Sequence, residues 1–299
     1  MRLIERVNVK KYILLGVPLL LLSNQSMCST AGQTSHDLKN YIVTSDYKPT
    51  ENLKKLFELC NVPHDGTLED MAKKAQELWD SPGYDFSALE NKKAELRPLF
   101  ESLGMINTID GMSKEKYTYA IVATGWVPVT FCRLAFLKKT WEQGVRFEKI
   151  IILTTQGDLV AQDWESNRYV TIDKTLPCKT EHELILALYN QVNFPEDMQK
   201  IPVVFTNVPK EKMCNGRWHA GDEITYWFTT NPEPGDCLVV INQPYVRALE
   251  DVVRNVLPDT FKDIDAIGYA ISPQYETVQR WCGALSWLLE SEVARLKKS

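Results

Sequence analysis

Residues 237–257, CLVVINQPYVRALEDVVRNVL, indicate the fold most directly, because an apolar run passes straight into a helical segment. The run CLVVIN lacks the polar alternation of a half-exposed strand and is typical of a strand buried on both faces of a sheet. Four more runs of this kind occur along the chain. They are YTYAIVAT at 117–124, KIIILTT at 149–155, IPVVFTN at 201–207 and IDAIGYA at 264–270.

Helical segments alternate with these runs. They are expected at 128–143, 181–193, 221–230, 244–257 and about 275–297. Strand and helix in alternation give right-handed crossovers, which predicts an α/β domain with a mostly parallel sheet of about five strands and flanking helices. We assign residues 117–299 to this domain.

Residues 32–116 are expected to form a helical extension without chemistry of its own. Thr67 can cap one helix, with Asp70 near the positive end of its dipole. Ser87 and Glu90 have the spacing of a capping box for the next helix. We interpret these helices as a cover that packs on the following domain.

Residues 1–31 have the order of a secretory signal: basic residues, a short apolar run and then small residues. The apolar run is too short to cross a bilayer in the usual way, although an uncleaved N-terminal anchor remains an alternative. We therefore expect an exported protein, which would be periplasmic, anchored in the inner membrane or secreted. Membrane association would occur through this N-terminus.

Composition excludes some classes of function. The net charge of −5 over 299 residues, with no long run of Lys and Arg, argues against nucleic-acid binding. The four histidines show no paired spacing with the seven cysteines, so a zinc centre is not expected. In an oxidising compartment Cys178 and Cys214 are the first pair to test for a disulfide, since both lie in predicted loops. Buried free thiols are the alternative for the others.

The segments that follow the apolar runs predict where a ligand binds, because open parallel sheets bind ligands beyond the carboxyl ends of their strands. These segments are polar, and their amides and hydroxyls suit an uncharged ligand such as a base or a sugar. The candidate ligand-binding residues are Thr124, Gly125, Arg133, Gln156, Gly157, Glu181, Arg217, Asp222, Asn242, Gln243, Tyr245 and Arg247.

Several of these residues have structural interpretations as well. Gly125 could serve only a strand-to-helix turn, since the Gly-rich dinucleotide fingerprint is missing from the sequence. Arg133 has apolar sequence neighbours and could bind Glu181 or Glu183 instead of a ligand. Asp222 could cap a helix, and Asn242 could cap the end of a strand.

A family resemblance rests on several of these stretches. TYAIVATG, Arg133, KIIILTTQGD, TEHELILAL and NGRWHAGDEITYW each resemble a segment of the YdcF/SanA/ElyC family, and PGDCLVVINQPYVRALEDVVRNVLP is the strongest match. The resemblance covers about residues 117–297. Two turns depart from the family pattern: Thr155-Gln156-Gly157 replaces a more glycine-rich turn, and residues 219–222 replace a Thr-rich one.

The resemblance implies a Rossmann-like domain, a cell-envelope context for exported members and S-adenosylmethionine binding for the soluble branch. From it and from the polar loops we expect an exported or membrane-tethered protein that binds a nucleotide-like or sugar-phosphate ligand. The alternative is a non-enzymatic envelope or secreted interaction factor that reuses the fold. No pairing of a nucleophile with a base is evident, so whether the protein is an enzyme stays open at this point.

Overall fold

The computed structural model describes residues 41–159, 178–212 and 220–298, which belong to one compact unit. Its strands are β1 (Lys116–Val122), β2 (Arg146–Ile152), β3 (Val203–Phe205), β4 (Cys237–Asn242) and β5 (Ile264–Tyr269). Its helices are α1 (Glu51–Leu59), α2 (Leu68–Trp79), α3 (Ser87–Glu90), α4 (Lys93–Ser102), α5 (Val127–Glu142), α6 (Glu181–Tyr189), α7 (Ala220–Phe228), α8 (Val246–Val256) and α9 (Val278–Leu296).

The sheet has the strand order β3-β2-β1-β4-β5, and every pairing in it is parallel. In the register of the central strands, Ala120 of β1 lies between Ile150 of β2 and Leu238 of β4. All three side chains are fully buried, as strands covered on both faces require. The predicted α/β fold with a parallel sheet is therefore confirmed.

Helices cover both faces of the sheet. On one face, Leu134 of α5 and Leu184 of α6 pack in the same apolar cluster as Val122 of β1. On the other face, Trp227 of α7 and Leu249 of α8 pack in a second cluster with the strands. The two clusters form a three-layer core, and burial of their apolar surface is its main stabilising contribution.

Helices α1 to α4 add a further layer outside α8. Thr67 caps α2 as expected, since its hydroxyl oxygen accepts the N–H of Asp70 at 3.2 Å. Phe100 of α4 and Trp281 of α9 stack with ring centroids 5.3 Å apart inside a third cluster, which also contains Ala248 of α8. The helical extension thus packs on the α/β part of the unit as predicted.

The capping box expected between Ser87 and Glu90 is not formed by these two described residues. Ser87 is already the first residue of the short helix α3, whose N-cap is Phe86. The carboxylate of Asp85 accepts the Ser87 N–H at 2.9 Å. Glu90 instead accepts the N–H of Val278 at 2.5 Å and so joins α3 to the start of α9.

The helix after β4 begins later than expected. Tyr245 is the N-cap of α8, and Pro244 follows a cis peptide bond with Gln243 in the turn before it. Pro244 and Tyr245 therefore lie between strand and helix and not in the first helical turn, as the sequence pattern had suggested.

Strand β3 is shorter than the predicted segment because, beyond Phe205, a side chain replaces some of the backbone hydrogen bonds to the continuation of β2. The hydroxyl of Thr206 accepts the N–H of Thr154 and donates to its carbonyl, both at 2.7 Å. Asn207 has a φ of 50°, and the backbone pairs again at Val208, which forms a parallel bridge with Thr155.

Gly268 of β5 lies where two other parts of the chain come close. Its backbone exchanges two hydrogen bonds with Ile109, at 2.9 and 2.8 Å, in an antiparallel bridge. A Cβ at this position would lie 2.5 Å from Cγ2 of Val246 and 2.6 Å from the carbonyl oxygen of Ile241. Glycine is therefore the only residue that fits here without a shift of the backbone.

Candidate functional site

The strand order sets the position of the candidate site. Strand β1 lies between β2 and β4, so the chain reverses its direction of winding at the β1–β4 pair. The connections that leave β1 and β4 at their carboxyl ends run to opposite faces of the sheet, which opens a crevice between them. The residues just beyond Val122 and Asn242 line this point.

Arg133 joins the two sides of this crevice. It lies on α5, and its Nε and Nη2 donate to Oδ1 of Asn242 at 2.9 and 2.6 Å. Its Nη1 donates to the carbonyl oxygens of Ala123 and Thr124 at 3.0 and 2.8 Å. The guanidinium therefore ties the end of β1 to the end of β4, and we call this arrangement the Arg133–Asn242 clamp.

The clamp differs from the ion pair considered for Arg133. Among the described residues, its hydrogen-bond partners are an amide and two carbonyl oxygens, and no carboxylate lies within ion-pair distance. The side chain is only 6% exposed. A buried guanidinium with neutral acceptors keeps its charge, which then acts on the titratable groups around the crevice.

Glu181 contributes a carboxylate that is held in place by threonines. Its Oε2 accepts the N–H and the hydroxyl of Thr155 at 3.1 and 3.0 Å. Its Oε1 accepts the hydroxyl of Thr124 at 3.1 Å, and that hydroxyl also donates to the carbonyl of Leu153 at 2.5 Å. Glu181 opens α6, where Thr180 and Glu183 form the predicted capping box. The helix start thus fixes its carboxylate against the ends of β1 and β2.

Glu223 places a second acid near the first. It lies in the first turn of α7 and is 8% exposed. Burial raises the pKa of its carboxyl well above the usual value, and the neighbouring Glu181 carboxylate raises this pKa further, while Arg133 lowers it. The Oδ2 atom of the adjacent Asp222 is buried without a hydrogen-bond partner among the described residues. The crevice therefore combines one cation with several acidic groups.

Gly125 makes the turn from β1 into α5, but its backbone amide is already engaged. The N–H of Gly125 donates to the hydroxyl of Thr130 at 2.9 Å, and that hydroxyl donates back to the Gly125 carbonyl at 2.8 Å. A Cβ at Gly125 would make only ordinary contacts, the nearest being Nη1 of Arg133 at 3.7 Å. The turn therefore lacks the close backbone approach by which glycine-rich loops bind phosphate.

An open cleft of about 420 Å³ lies beyond the ends of β2 and β3. Gln156 lines it, as does His182, whose Nδ1 lies 3.0 Å from the hydroxyl of Thr154. Burial lowers the pKa of the His182 imidazole, which favours its neutral form. The remaining lining residues are Thr180, Glu183, Asn207, Lys210 and Glu211. Since Gln156 follows Thr155 and His182 follows Glu181, the cleft adjoins the residues that hold the Glu181 carboxylate.

The other candidate residues do not all face this crevice. Gln243 directs its Nε2 to the carbonyls of Gly104 and Asn107, at 3.0 and 2.7 Å, and so binds the helical layer. Tyr245 packs on Trp287 of α9 with ring centroids 6.1 Å apart. Burial raises the pKa of the Tyr245 hydroxyl, and the charges of Arg280 and Arg133 lower it.

Arg247 and Gly157 make their contacts elsewhere. Arg247 is buried in α8, and its charge acts on Asp251 one turn further along that helix. Gly157 accepts the N–H of Glu181 at 3.0 Å, which is a structural contact. Arg217 lies outside the described residues, as do Cys214 and residues 1–31.

The sequence pattern did not single out three residues that the structure brings to this edge: Glu223, His182 and Asn207. The Oδ1 atom of Asn207 is buried and has no hydrogen-bond partner among the described residues. Glu223 and His182 each follow a candidate directly, as neighbours of Asp222 and Glu181. An acidic or imidazole side chain in the first turn of a helix after a buried strand was the available signal.

Two absences apply to the part of the chain that the structure describes. Its His, Cys, Asp and Glu side chains form no group of three or more that could hold a metal ion. Among the same residues, none of the helices has the length and apolar character needed to cross a membrane.

The all-parallel sheet and the crevice at the β1–β4 reversal define a Rossmann-like α/β protein with a polar candidate site. Comparisons with known protein families, with curated proteins and with solved structures found no match to this chain.

Proposed function

We propose that this protein binds a small nucleotide-like molecule of the S-adenosylmethionine type in the crevice between β1 and β4. One observation carries the proposal: the Arg133–Asn242 clamp adjoins the carboxylate of Glu181 and the buried carboxyl of Glu223. Carboxylates at a topological reversal point are the groups that bind ribose hydroxyls in Rossmann-like domains.

The charges at the crevice favour this ligand over a sugar phosphate, which is the other candidate from the sequence. Within the described residues, the hydrogen bonds of Arg133 go to protein acceptors, and the backbone N–H of Gly125 donates to Thr130. Phosphate binding would require such donors to be free. The acids Glu181, Asp222 and Glu223 instead suit hydroxyl and amino groups, and an open cleft of about 420 Å³ lies next to them, beyond the ends of β2 and β3.

Membership of the YdcF/SanA/ElyC family and export through residues 1–31 are part of this proposal. The polar residues at the ends of β1, β2 and β4 support the first, and the order of basic, apolar and small residues supports the second. Separation of membrane, periplasmic and culture-medium fractions would test export. Recovery of the full-length protein only from the cytoplasm would contradict it.

Thermal unfolding of the purified protein with about 1 mM S-adenosylmethionine, ATP or a UDP-sugar tests the binding proposal. A ligand at about 100 times its Kd stabilises the folded state by about 2.7 kcal/mol, which is a clear rise in Tm. We expect the largest rise with S-adenosylmethionine, and we expect Glu181→Gln to remove most of it.

Glu142→Gln is the matched control, since it removes the same charge from an exposed position at the last residue of α5. It should lower Tm at most slightly, through loss of the exposed ion pair with Lys138, and leave the ligand-induced rise intact. Equal loss in both variants would show that the effect is not specific to Glu181. No rise with any of the compounds would refute small-molecule binding of this type and favour the non-enzymatic interaction factor.

A second candidate is acid–base catalysis on the bound ligand, which the raised pKa of Glu223 favours. A carboxyl whose pKa is raised by burial keeps its proton to higher pH and can act as a general acid. Incubation of the protein with each ligand that binds, followed by NMR of the small molecule, tests this candidate. Conversion that Glu223→Gln abolishes without loss of binding would support it, and unchanged ligand over days would exclude it.

A further inference from the structure

Two buried cysteines meet in the helical layer. Cys60 is the C-cap of α1, and Cys282 lies near the start of α9. Their exposed fractions are 4% and 0%, and both belong to the apolar cluster that joins the helical extension to α9. Each thiol acts on the pKa of the other, since Cys282 lowers the pKa of Cys60 and Cys60 raises that of Cys282, and this mutual effect places the two side chains next to each other within the cluster.

The surroundings of Cys60 favour its thiolate. The Nζ of Lys92 donates to the carbonyl of Leu59 at 2.7 Å, which holds an ammonium beside Cys60. The hydrogen bond from Cys282 and the charge of Lys92 lower the pKa of Cys60, against the effect of burial. Burial raises the pKa of Cys282. Cys60 is therefore the more nucleophilic member of the pair.

The other described cysteines have different neighbours. The thiol of Cys237 reaches the carbonyl of Gly235 at 3.9 Å, and the side chain of Cys132 is hydrogen-bonded to Tyr269. Cys178, which the sequence suggested for a pair with Cys214, lies near Glu183. Cys60 with Cys282 is thus the thiol pair that the fold itself brings together among the described residues.

We propose that Cys60 and Cys282 are a covalent modification site and form an intramolecular disulfide when the protein folds in an oxidising environment. The oxidant is a disulfide of low molecular mass such as oxidised glutathione. The Cys60 thiolate attacks it, a mixed disulfide forms and one glutathione thiolate leaves. The Cys282 thiol then loses its proton and attacks the Cys60 sulfur, which releases the second glutathione.

The bond would connect α1 to α9 and enclose the whole sheet in one covalent loop. A cross-link across a loop of this length restricts the unfolded chain strongly, so its stabilising effect is expected to be large. The proposal is independent of the ligand site, which lies at the carboxyl ends of the strands.

Refolding of the full chain tests the pairing, because both thiols are buried once the protein is native. The protein is unfolded in urea with a reductant, refolded in a mixture of reduced and oxidised glutathione, alkylated with N-ethylmaleimide and digested without reduction. We expect mass spectrometry to detect a peptide that links Cys60 to Cys282. Both residues fully alkylated after refolding, or either linked mainly to another cysteine, would overturn the proposal.

Unfolding in urea gives a second measurement. We expect reduction to lower the midpoint of the oxidised protein by about 1 M urea. Cys178→Ser should show the same drop, whereas Cys60→Ser and Cys282→Ser should show none. An equal drop in Cys60→Ser would mean that another bond is responsible and would refute the assignment. The wild-type peptide map decides the question even if a variant fails to fold.

Discussion

The two ends of the sheet differ in how many of their buried polar groups have hydrogen-bond or ion-pair partners. At the amino end, the Asp265 carboxylate accepts the N–H and the hydroxyl of Ser113, at 2.8 and 2.6 Å, and also the hydroxyl of Tyr117. Lys114 binds both Asp236 and Asp263 there. Each of these charged side chains at the amino end therefore has hydrogen-bond or ion-pair partners.

At the carboxyl end, the buried Glu223 lies close to the partly buried Glu181, and some buried polar atoms have no hydrogen-bond partner among the described residues. Glu223 is near Glu181, and Asp222 and Asn207 each have an unsatisfied buried oxygen. Unsatisfied buried polar groups cost stability, so proteins keep them mainly where function needs them. The difference indicates that the amino end stabilises the fold and that the carboxyl end retains capacity for a ligand.

The clamp is the exception at the carboxyl end, and its loss is expected to have the largest effect. Arg133→Ala leaves Asn242 and two backbone carbonyls without their donor, at about 1 to 3 kcal/mol for each buried acceptor, and should lower the free energy of unfolding by about 4 kcal/mol. Urea denaturation followed by circular dichroism measures it. Lys138→Ala on the same helix is the control, with a loss below about 1 kcal/mol. A similar small loss for both variants would show that the clamp contributes little to the stability of the fold.

Asp265→Ala should have the next largest effect. It leaves the hydroxyl of Tyr117 and the N–H of Ser113 without an acceptor, which we expect to cost about 3 kcal/mol in urea denaturation. Asp263→Ala removes a 41% exposed carboxylate at the same end and should cost less than about 1 kcal/mol. Neither change should alter ligand binding. Reduced ligand binding in a folded Asp265→Ala protein would contradict the assignment of stability to the amino end and of binding to the carboxyl end.

Glu223→Gln is expected to raise the free energy of unfolding at pH 8 by roughly 1 kcal/mol, whereas Arg133→Ala and Asp265→Ala lower it. Because the folded-state pKa of Glu223 is raised above 4.5, the folded protein holds a proton that the unfolded chain releases. The stabilising contribution is complete below pH 4.5 and is lost as the pH rises through the folded pKa. Glu223→Gln should therefore be more stable than the wild type at pH 8, and the difference should shrink towards pH 4.

Glu196→Gln, an exposed acid elsewhere on the chain, is the control and should follow the wild-type curve across this range. Thermal unfolding from pH 4 to 8 measures both variants. A wild-type curve that runs parallel to that of Glu223→Gln would show that Glu223 ionises normally.

His182→Gln should have the smallest effect, a loss of about 0.5 kcal/mol from the contact with Thr154. Burial lowers the folded-state pKa of His182 below 6.5, so the unfolded chain takes up a proton first as the pH falls. Its contribution to stability is present above pH 6.5 and is lost as the pH falls through the folded pKa. NMR titration of the imidazole checks this, and an apparent pKa above 6.5 would contradict it.

Much of the fold could be predicted from the sequence. Uninterrupted apolar runs separated by helical segments indicated the parallel sheet, and the capping residues Thr67 and Thr180 were identified from local spacing. Boundaries were less accurate where tertiary contacts decide them. Ser87 is an example, since Asp85 and not the helix itself satisfies its backbone N–H.

The site was only partly predictable, because sequence position shows which residues lie at strand ends but not where their side chains point. Arg133, Glu181 and Asn242 were placed at one edge of the sheet, and the structure brings them to the crevice. Gln243 was equally plausible, yet its amide turns to the helical layer. Glu223 had only the signal of its position in the first turn of α7, and Cys60 depends on a contact between distant segments, for which the local pattern contains no signal.

The bridge between Ile109 and Gly268 has a further consequence for the molecule in solution. Strand β5 is at the border of the sheet, and a border strand offers unpaired N–H and C=O groups to any other extended chain. Ile109 occupies the groups of Gly268, and Thr108 binds the N–H of Ala270 at 3.0 Å. The segment around Thr108 and Ile109 therefore covers part of the outer edge of β5 and limits edge-to-edge association with another chain. The strand at the opposite edge, β3, is only three residues long, which limits such association there.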